Sequence, residues 1–204
     1  MKKNNGLFIS FEGPEASGKS SQINLLKNYL IKNKISFLVT REPGGTEIAE
    51  KLRKIILNKK YDISYLEEIL LLMSSRSHHI NTKILPALKK GKFVICDRFA
   101  DSTFVYQGFV NGFGIQKTQY LHKVILNNFL PNKTFLFELS SKEIISRLKN
   151  RKIKNKYDKN EINFHNKVSL GYKKISKKNN RFIIIDANQK KKIIHNFILK
   201  KLGL

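Results

Sequence analysis

The chain has 204 residues, with 40 Lys and Arg against 15 Asp and Glu, a formal net charge of +25 at pH 7. A hydrophobic content of 41% excludes an intrinsically disordered chain, the single cysteine excludes an intrachain disulfide, and no apolar run is long enough to span a bilayer. With no signal-peptide segment either, the expectation is one domain over residues 1–204 in the cytoplasm.

The positive charge predicts attraction to polyanions. Lysine is spread over the surface helices, alongside abundant Asn and Ile, and is not gathered on one tail. It therefore reads as composition, with no specific nucleic-acid or membrane partner.

Leu7–Phe11 reads as a buried strand. Gly13-Pro14-Glu15-Ala16-Ser17-Gly18-Lys19-Ser20 then fits G-x-x-x-x-G-K-[ST]. Ile23, Leu25, Leu26, Tyr29 and Leu30 follow at helical spacing, so the motif lies between a strand and a helix, as a phosphate-binding P-loop requires. The two glycines permit backbone geometry that a Cβ would hinder, and the loop amides can cradle a phosphate chain at the helix N-terminus. Lys19 can reach the β- and γ-phosphates of a nucleotide, and Ser20 can ligate Mg²⁺.

Phe37–Thr40 reads as a second strand, followed by a Pro-Gly-Gly loop. Glu47–Leu57 reads as a helix with Ile48, Leu52, Ile55 and Ile56 on its core face. Ser64 to Glu67 forms a capping box before a helix through Glu67–His79, and Pro86 predicts a break in the pattern that continues beyond it. Lys92–Cys96 is a third strand ending in Asp97-Arg98; an acid at that position suits a Mg²⁺ partner. Asp101–Gln107 and Gln116–Phe129 read as helices and Thr134–Leu139 as a fourth strand. Next come a helix from Ser141, a basic aperiodic segment Arg151–Lys159, a helix Glu161–Lys177, a fifth strand Arg181–Asp186 and a closing helix Lys190–Leu202. The alternation predicts an α/β three-layer P-loop fold: a mostly parallel five-stranded sheet flanked by helices.

Several stretches together narrow the class. Thr40-Arg41-Glu42-Pro43-Gly44-Gly45-Thr46 resembles the TREPGGT segment of bacterial thymidylate kinases. Asp97-Arg98-Phe99, Asp101-Ser102-Thr103 and Tyr106-Gln107-Gly108 resemble their DRY, DS and AYQG motifs, and Phe11-Glu12-Gly13-Pro14-Glu15 resembles their form of the P-loop. Pro131 to Thr134, Phe164-His165 and Tyr172 match further positions in the same order, so the resemblance covers nearly the whole chain.

The resemblance implies a homodimeric enzyme of dTTP biosynthesis that uses ATP and Mg²⁺ to phosphorylate dTMP. Lys19 would then hold phosphates, with Ser20, Asp97 and, through water, Glu42 at the metal. Arg98 would contact the dTMP phosphate near the transferred group. Glu15 would face the sugar 3′-hydroxyl, because a carboxylate among phosphates is repelled. Arg41 and Arg53 would be acceptor-side contacts. Arg76 would donate to thymine O4, which the amino group of cytosine cannot accept. Thr103, Tyr106 and Gln107 would line the nucleoside pocket. Pro43 is cis in the family, whereas sequence alone favours trans.

Two positions depart from the family pattern. Leu72 stands where a phenylalanine usually stacks on thymine, and the P-loop carries Ala16-Ser17 where some members have an arginine. The catalytic cation is therefore expected from a lid at about 151–160, with Arg151, Lys154 and Lys156 as candidates.

Two rival readings fail on context. Asn155-Lys156-Tyr157-Asp158 matches the guanine-reading N-K-x-D of GTPases, but it follows no apolar strand and no D-x-x-G occurs in the chain. A nucleic-acid-dependent ATPase would need an aromatic and basic platform that the sequence lacks. His78-His79 with Cys96 is no zinc signature, since adjacent helical residues diverge.

Overall fold

The computed structural model describes residues 6–58, 60–149, 162–177 and 179–204. The expected lid, with Arg151, Lys154 and Lys156, lies outside the described residues.

Five strands form one sheet: β1 (Phe8–Glu12), β2 (Phe37–Arg41), β3 (Phe93–Asp97), β4 (Lys133–Glu138) and β5 (Phe182–Asp186). Their order is β2-β3-β1-β4-β5, and every neighbouring pair is parallel. Nine α-helices are described: α1 (Lys19–Lys32), α2 (Glu47–Leu57), α3 (Tyr65–His79), α4 (Leu85–Lys89), α5 (Ala100–Thr103), α6 (Ile115–Leu126), α7 (Ser141–Lys149), α8 (Ile162–Ser176) and α9 (Lys191–Leu202).

Side-chain alternation along the central strands divides the core in two. Ile9, Phe11, Ile95, Phe135 and Phe137 pack with Leu26, Ile144 and Ile194 of α1, α7 and α9. Phe8, Val94 and Cys96 point the other way, onto Ile69 and Met73 of α3 and Leu126 of α6. Because both faces are covered, the central strands read as continuous apolar runs.

The break expected at Pro86 is spread over several residues. Widened, π-helical backbone runs from Ile80 to Ile84 and continues into α4, so Pro86 is accommodated without ending the helix. A second π-helical stretch, Phe104–Val110, prolongs α5 and carries Tyr106 and Gln107.

The core face expected of α2 is a correction. Ile48 and Ile55 are exposed, at 50% and 36%, while Ala49 and Ile56 are buried. Ala49 and Ile56 stand seven residues apart, two helical turns, and this narrower stripe meets the core. The isoleucines beside it face outward.

Candidate active site

Parallel register brings Glu12, Arg41 and Asp97 to the same edge of the sheet, the carboxyl ends of β1, β2 and β3. In open α/β sheets this is where ligands bind. A cavity of about 480 Å³ opens there. Of the described residues singled out in the sequence for function, all but Gly13 and Pro14 line it.

The phosphate end is built by the loop after β1. Gly13 has φ +131°, and a Cβ there would lie 2.4 Å from the Phe137 carbonyl oxygen. Gly18, with φ +92°, starts α1 and leaves its first amides without a side-chain cap. Such a terminus is an anion site. The Lys19 ammonium donates to the carbonyl oxygens of Gly13 and Pro14, at 3.1 and 2.6 Å, and to Ser17 Oγ at 3.2 Å. Burial, and next the charge of Arg98, lower its pKa from 10.5 to about 8. The carboxylates of Asp97, Glu15 and Glu12 offset this only in part, and a polyphosphate would supply further countercharge.

Beside Lys19, the Ser20 hydroxyl donates to Asp97 Oδ2 at 3.2 Å. A hydroxyl and a carboxylate are hard oxygen donors. Two of them fit Mg²⁺, which keeps much of its shell as water and phosphate oxygens.

Across the cavity, Arg98 has φ +66°, a left-handed conformation of the kind that functional sites hold at a cost of about 1–3 kcal/mol. It is pinned on several sides. Its guanidinium donates to Glu15 Oε1 at 3.0 Å, Ser102 Oγ at 3.1 Å and Tyr172 Oη at 3.2 Å. Tyr106 donates to both Glu15 oxygens at 2.9 Å. Glu15 is thus a buried, paired carboxylate and not a solvated loop charge.

Behind this group sits Glu12. It accepts from Phe99 N at 2.6 Å, Ser102 Oγ at 2.7 Å and Tyr172 Oη at 2.9 Å. Burial, and next the charge of Asp101, raise its pKa to about 7. Sequence reading gave Glu12, Ser102 and Tyr172 no role. The signal was present for Glu12, since it ends an apolar strand just as Asp97 does.

The acceptor end is organised by Arg76, which is 2% exposed. Its Nε donates to Glu42 Oε2 at 2.6 Å and its Nη2 to Thr103 Oγ1 at 2.8 Å. Among the described residues Nη1 has only the Met73 sulfur, 3.9 Å away. His79 Nδ1 donates to the other Glu42 oxygen at 2.9 Å, and its Nε2 lies 2.7 Å from Thr40 Oγ1. Both carboxylate oxygens of Glu42 therefore hold α3 side chains, Arg76 and His79, while Glu42 also lines the cavity. The Glu42–Pro43 peptide is cis.

Arg41 forks onto Glu50 at 3.2 and 2.9 Å, and Arg53 donates to the Pro43 carbonyl at 2.6 Å. Leu72 and Gln107 complete the pocket wall, and Gln107 Nε2 donates to Glu68 Oε1 at 3.1 Å. Glu68 is a further residue that sequence reading passed over. The signal was its i, i+4, i+8 spacing with Leu72 and Arg76, which places all three along one stripe of α3.

A parallel sheet, a P-loop opening α1, a metal-competent oxygen pair and an adjoining pocket with buried arginines define a P-loop nucleotide-binding protein with room for a second substrate. Comparison with known proteins narrows this class. The family described as "Thymidylate kinase" matches residues 11–198. A thymidylate kinase of Thermoanaerobacter sp. (strain X514) is 40% identical over 195 residues, 95% of this chain and 96% of that protein. One of Geobacillus sp. (strain WCH70) is 42% identical over 189 residues, 90% of each. The crystal structure of thymidylate kinase from Ehrlichia chaffeensis superposes with a TM-score of 0.78 at 31% identity, covering 98% of this chain and all of that one. The chain belongs to the thymidylate kinase family.

Proposed function

We propose that the protein is a single-domain enzyme that transfers the γ-phosphoryl group of ATP to dTMP, giving dTDP and ADP, in the cytoplasmic supply of dTTP. The observation that carries this reading is one cavity holding both a P-loop and, across Arg98 and Glu15, a pocket built on Arg76, Thr103 and Gln107.

An oxygen of the dTMP phosphate attacks Pγ, and the bond from Pγ to the bridging oxygen of ADP breaks. The attacking group is already anionic, so no strong base is needed. In-line transfer asks for positioning, charge neutralisation and exclusion of water. The Gly13–Ser20 amides and Lys19 bind the donor phosphates. Arg98 holds the acceptor phosphate and meets the charge that develops during transfer. Glu15 keeps Arg98 and Tyr106 in place beside the sugar. Ser20 and Asp97 would hold Mg²⁺, which would neutralise phosphate charge. Arg76 Nη1 donates to thymine O4, and Leu72 gives the base apolar contact.

A coupled assay of ADP release tests the reading. ATP turnover is expected only when dTMP is added. Turnover of GTP alone, or ATP hydrolysis that responds to DNA and not to dTMP, overturns it.

The same reading makes the protein a homodimer. Ile48 and Ile55 of α2, Leu66 and Leu70 of α3 and Val124 of α6 are all at least 36% exposed, and α3 packs against both α2 and α6. Exposed apolar faces of this kind mark protein interfaces. Sedimentation equilibrium is expected to give twice the chain mass, and a monomer overturns the assignment.

A further inference from the structure

Gln107 and Glu68 are 4% and 3% exposed, and the Gln107 amide nitrogen donates to Glu68 Oε1. An ionised carboxylate only accepts hydrogen bonds, whereas a primary amide has one donating and one accepting end. Glu68 therefore decides which end of Gln107 is turned away from it. Among the described residues the amide oxygen takes no hydrogen bond from the chain, and Gln107 lines the cavity. The oxygen is thus the end presented to a ligand. Arg76 lines the same cavity and brings Nη1, a donor engaged among the described residues only with the Met73 sulfur.

The pocket offers one donor and one acceptor to the edge of a base. A pyrimidine with a carbonyl at C4 and a hydrogen on N3 satisfies both. Cytosine fails twice, since its amino group meets the guanidinium and its N3 lone pair meets the amide oxygen.

We propose that Glu68 is a specificity-determining positioning residue: by fixing the Gln107 amide it makes the pocket select bases that carry an N3 hydrogen. This rests on the reading of the pocket as a dTMP site. A neutral partner at position 68 would accept either amide orientation, so the preference would relax without loss of space.

The test compares dTMP and dCMP as acceptors for wild type, Glu68→Gln, Gln107→Leu and the double variant, with KM and kcat separated and melting temperatures recorded. Glu68→Gln is expected to raise the dTMP KM about tenfold and to narrow the preference for dTMP over dCMP about tenfold, the loss falling on KM rather than kcat. Gln107→Leu is expected to lose the same preference, and in its background Glu68→Gln is expected to move KM less than about twofold. A Glu68→Gln or Gln107→Leu protein that keeps the wild-type preference overturns the inference, as do additive effects in the double variant. If Glu68→Gln does not fold, Gln107→Leu alone decides. Wild type inactive on dTMP overturns the functional reading and this inference together. Wild type active on dTMP with unaltered variants overturns this inference alone.

Discussion

The two ends of the cavity are built differently. At the donor end, Lys19 bonds to atoms two, five and six positions away, all within the P-loop. At the acceptor end, Arg76 reaches 34 positions to Glu42 and 27 to Thr103, while Gln107 reaches 39 to Glu68. The donor end is a local backbone shape that exposes a charge. The acceptor end is a set of buried ion pairs and hydrogen bonds that exists only once β2, α3 and the Phe104–Val110 stretch have packed. Damage to the donor end should therefore cost chemistry, whereas damage to the acceptor end should cost chemistry and fold together.

The hardest test of that contrast is Glu42→Leu. Arg76 and Glu42 have side chains 2% and 3% exposed, so removing the carboxylate strands a buried guanidinium. The expected cost is about 3–5 kcal/mol of stability in urea unfolding, with a large rise in the dTMP KM. A variant that unfolds at the wild-type midpoint would show that the acceptor end does not hold the fold.

Lys19→Ala is the opposite case. The ammonium sits buried with a depressed pKa, held against charge by burial and by Arg98, so the fold gains little from it. Turnover is expected to fall about 10²–10³-fold, as when one preorganised transition-state donor is removed. The melting temperature should hold or rise, and its clear fall would place Lys19 among the structural groups.

The same difference explains what the sequence made legible. Gly13 to Ser20 is contiguous, and its glycines, lysine and serine have fixed spacings that phosphate chemistry dictates. The strands were equally plain, because both sheet faces are covered and each central strand is an apolar run. Glu42 could not be read this way. A carboxylate after a strand suits a metal or an ion pair alike, and its ion pair forms only when Arg76 and His79 arrive from α3. Glu68 was hidden because its partner comes from another helix 39 positions on. On α2 the expected face held Ile56, which is buried, but also Ile48 and Ile55, which are exposed, since the small Ala49 sits where the helix meets the core.

Two buried groups, Lys19 at the donor end and Glu12 behind Arg98, make stability depend on pH. Glu12 has a pKa of about 7 in the folded chain against 4.5 as its ordinary value, so the native state keeps a proton that the unfolded chain releases. Its contribution to stability is full below pH 4.5 and is lost as pH rises to about 7. Lys19 falls to about 8 from 10.5, so its native form loses a proton first, and stability rises between pH 8 and 10.5. Each contribution amounts to at most about 3 kcal/mol. Below pH 6.5 buried His122, whose pKa burial lowers from 6.5 to about 4, slopes the other way, so the Glu12 share is read as the difference between wild type and a variant without it. Urea unfolding of wild type and Glu12→Gln at pH 5, 7.5 and 9.5 checks this. From the first point to the second, wild type should lose stability relative to Glu12→Gln, and a difference that does not change with pH would remove Glu12 as a source of the dependence.

The smallest effect sharpens the acceptor side alone. Ser64 caps α3 reciprocally: its hydroxyl accepts from Glu67 N at 3.3 Å, and Glu67 Oε2 accepts from Ser64 N at 2.7 Å. Replacing Ser64 by alanine removes one half of the box and should cost about 1 kcal/mol, a fall of roughly 2–4 °C in melting temperature for a chain of this size. Neither residue touches the cavity, so any functional change must travel along the helix. Glu68 lies in the first turn of α3 and Arg76 near its end. Fraying therefore reaches the partner of Gln107 before it reaches the guanidinium. The expected pattern is an unchanged kcat, with the preference for dTMP over dCMP eroding before the dTMP KM rises. Stopped turnover would instead mean that α3 supports the donor end too, and the separation of the two ends would fall with it.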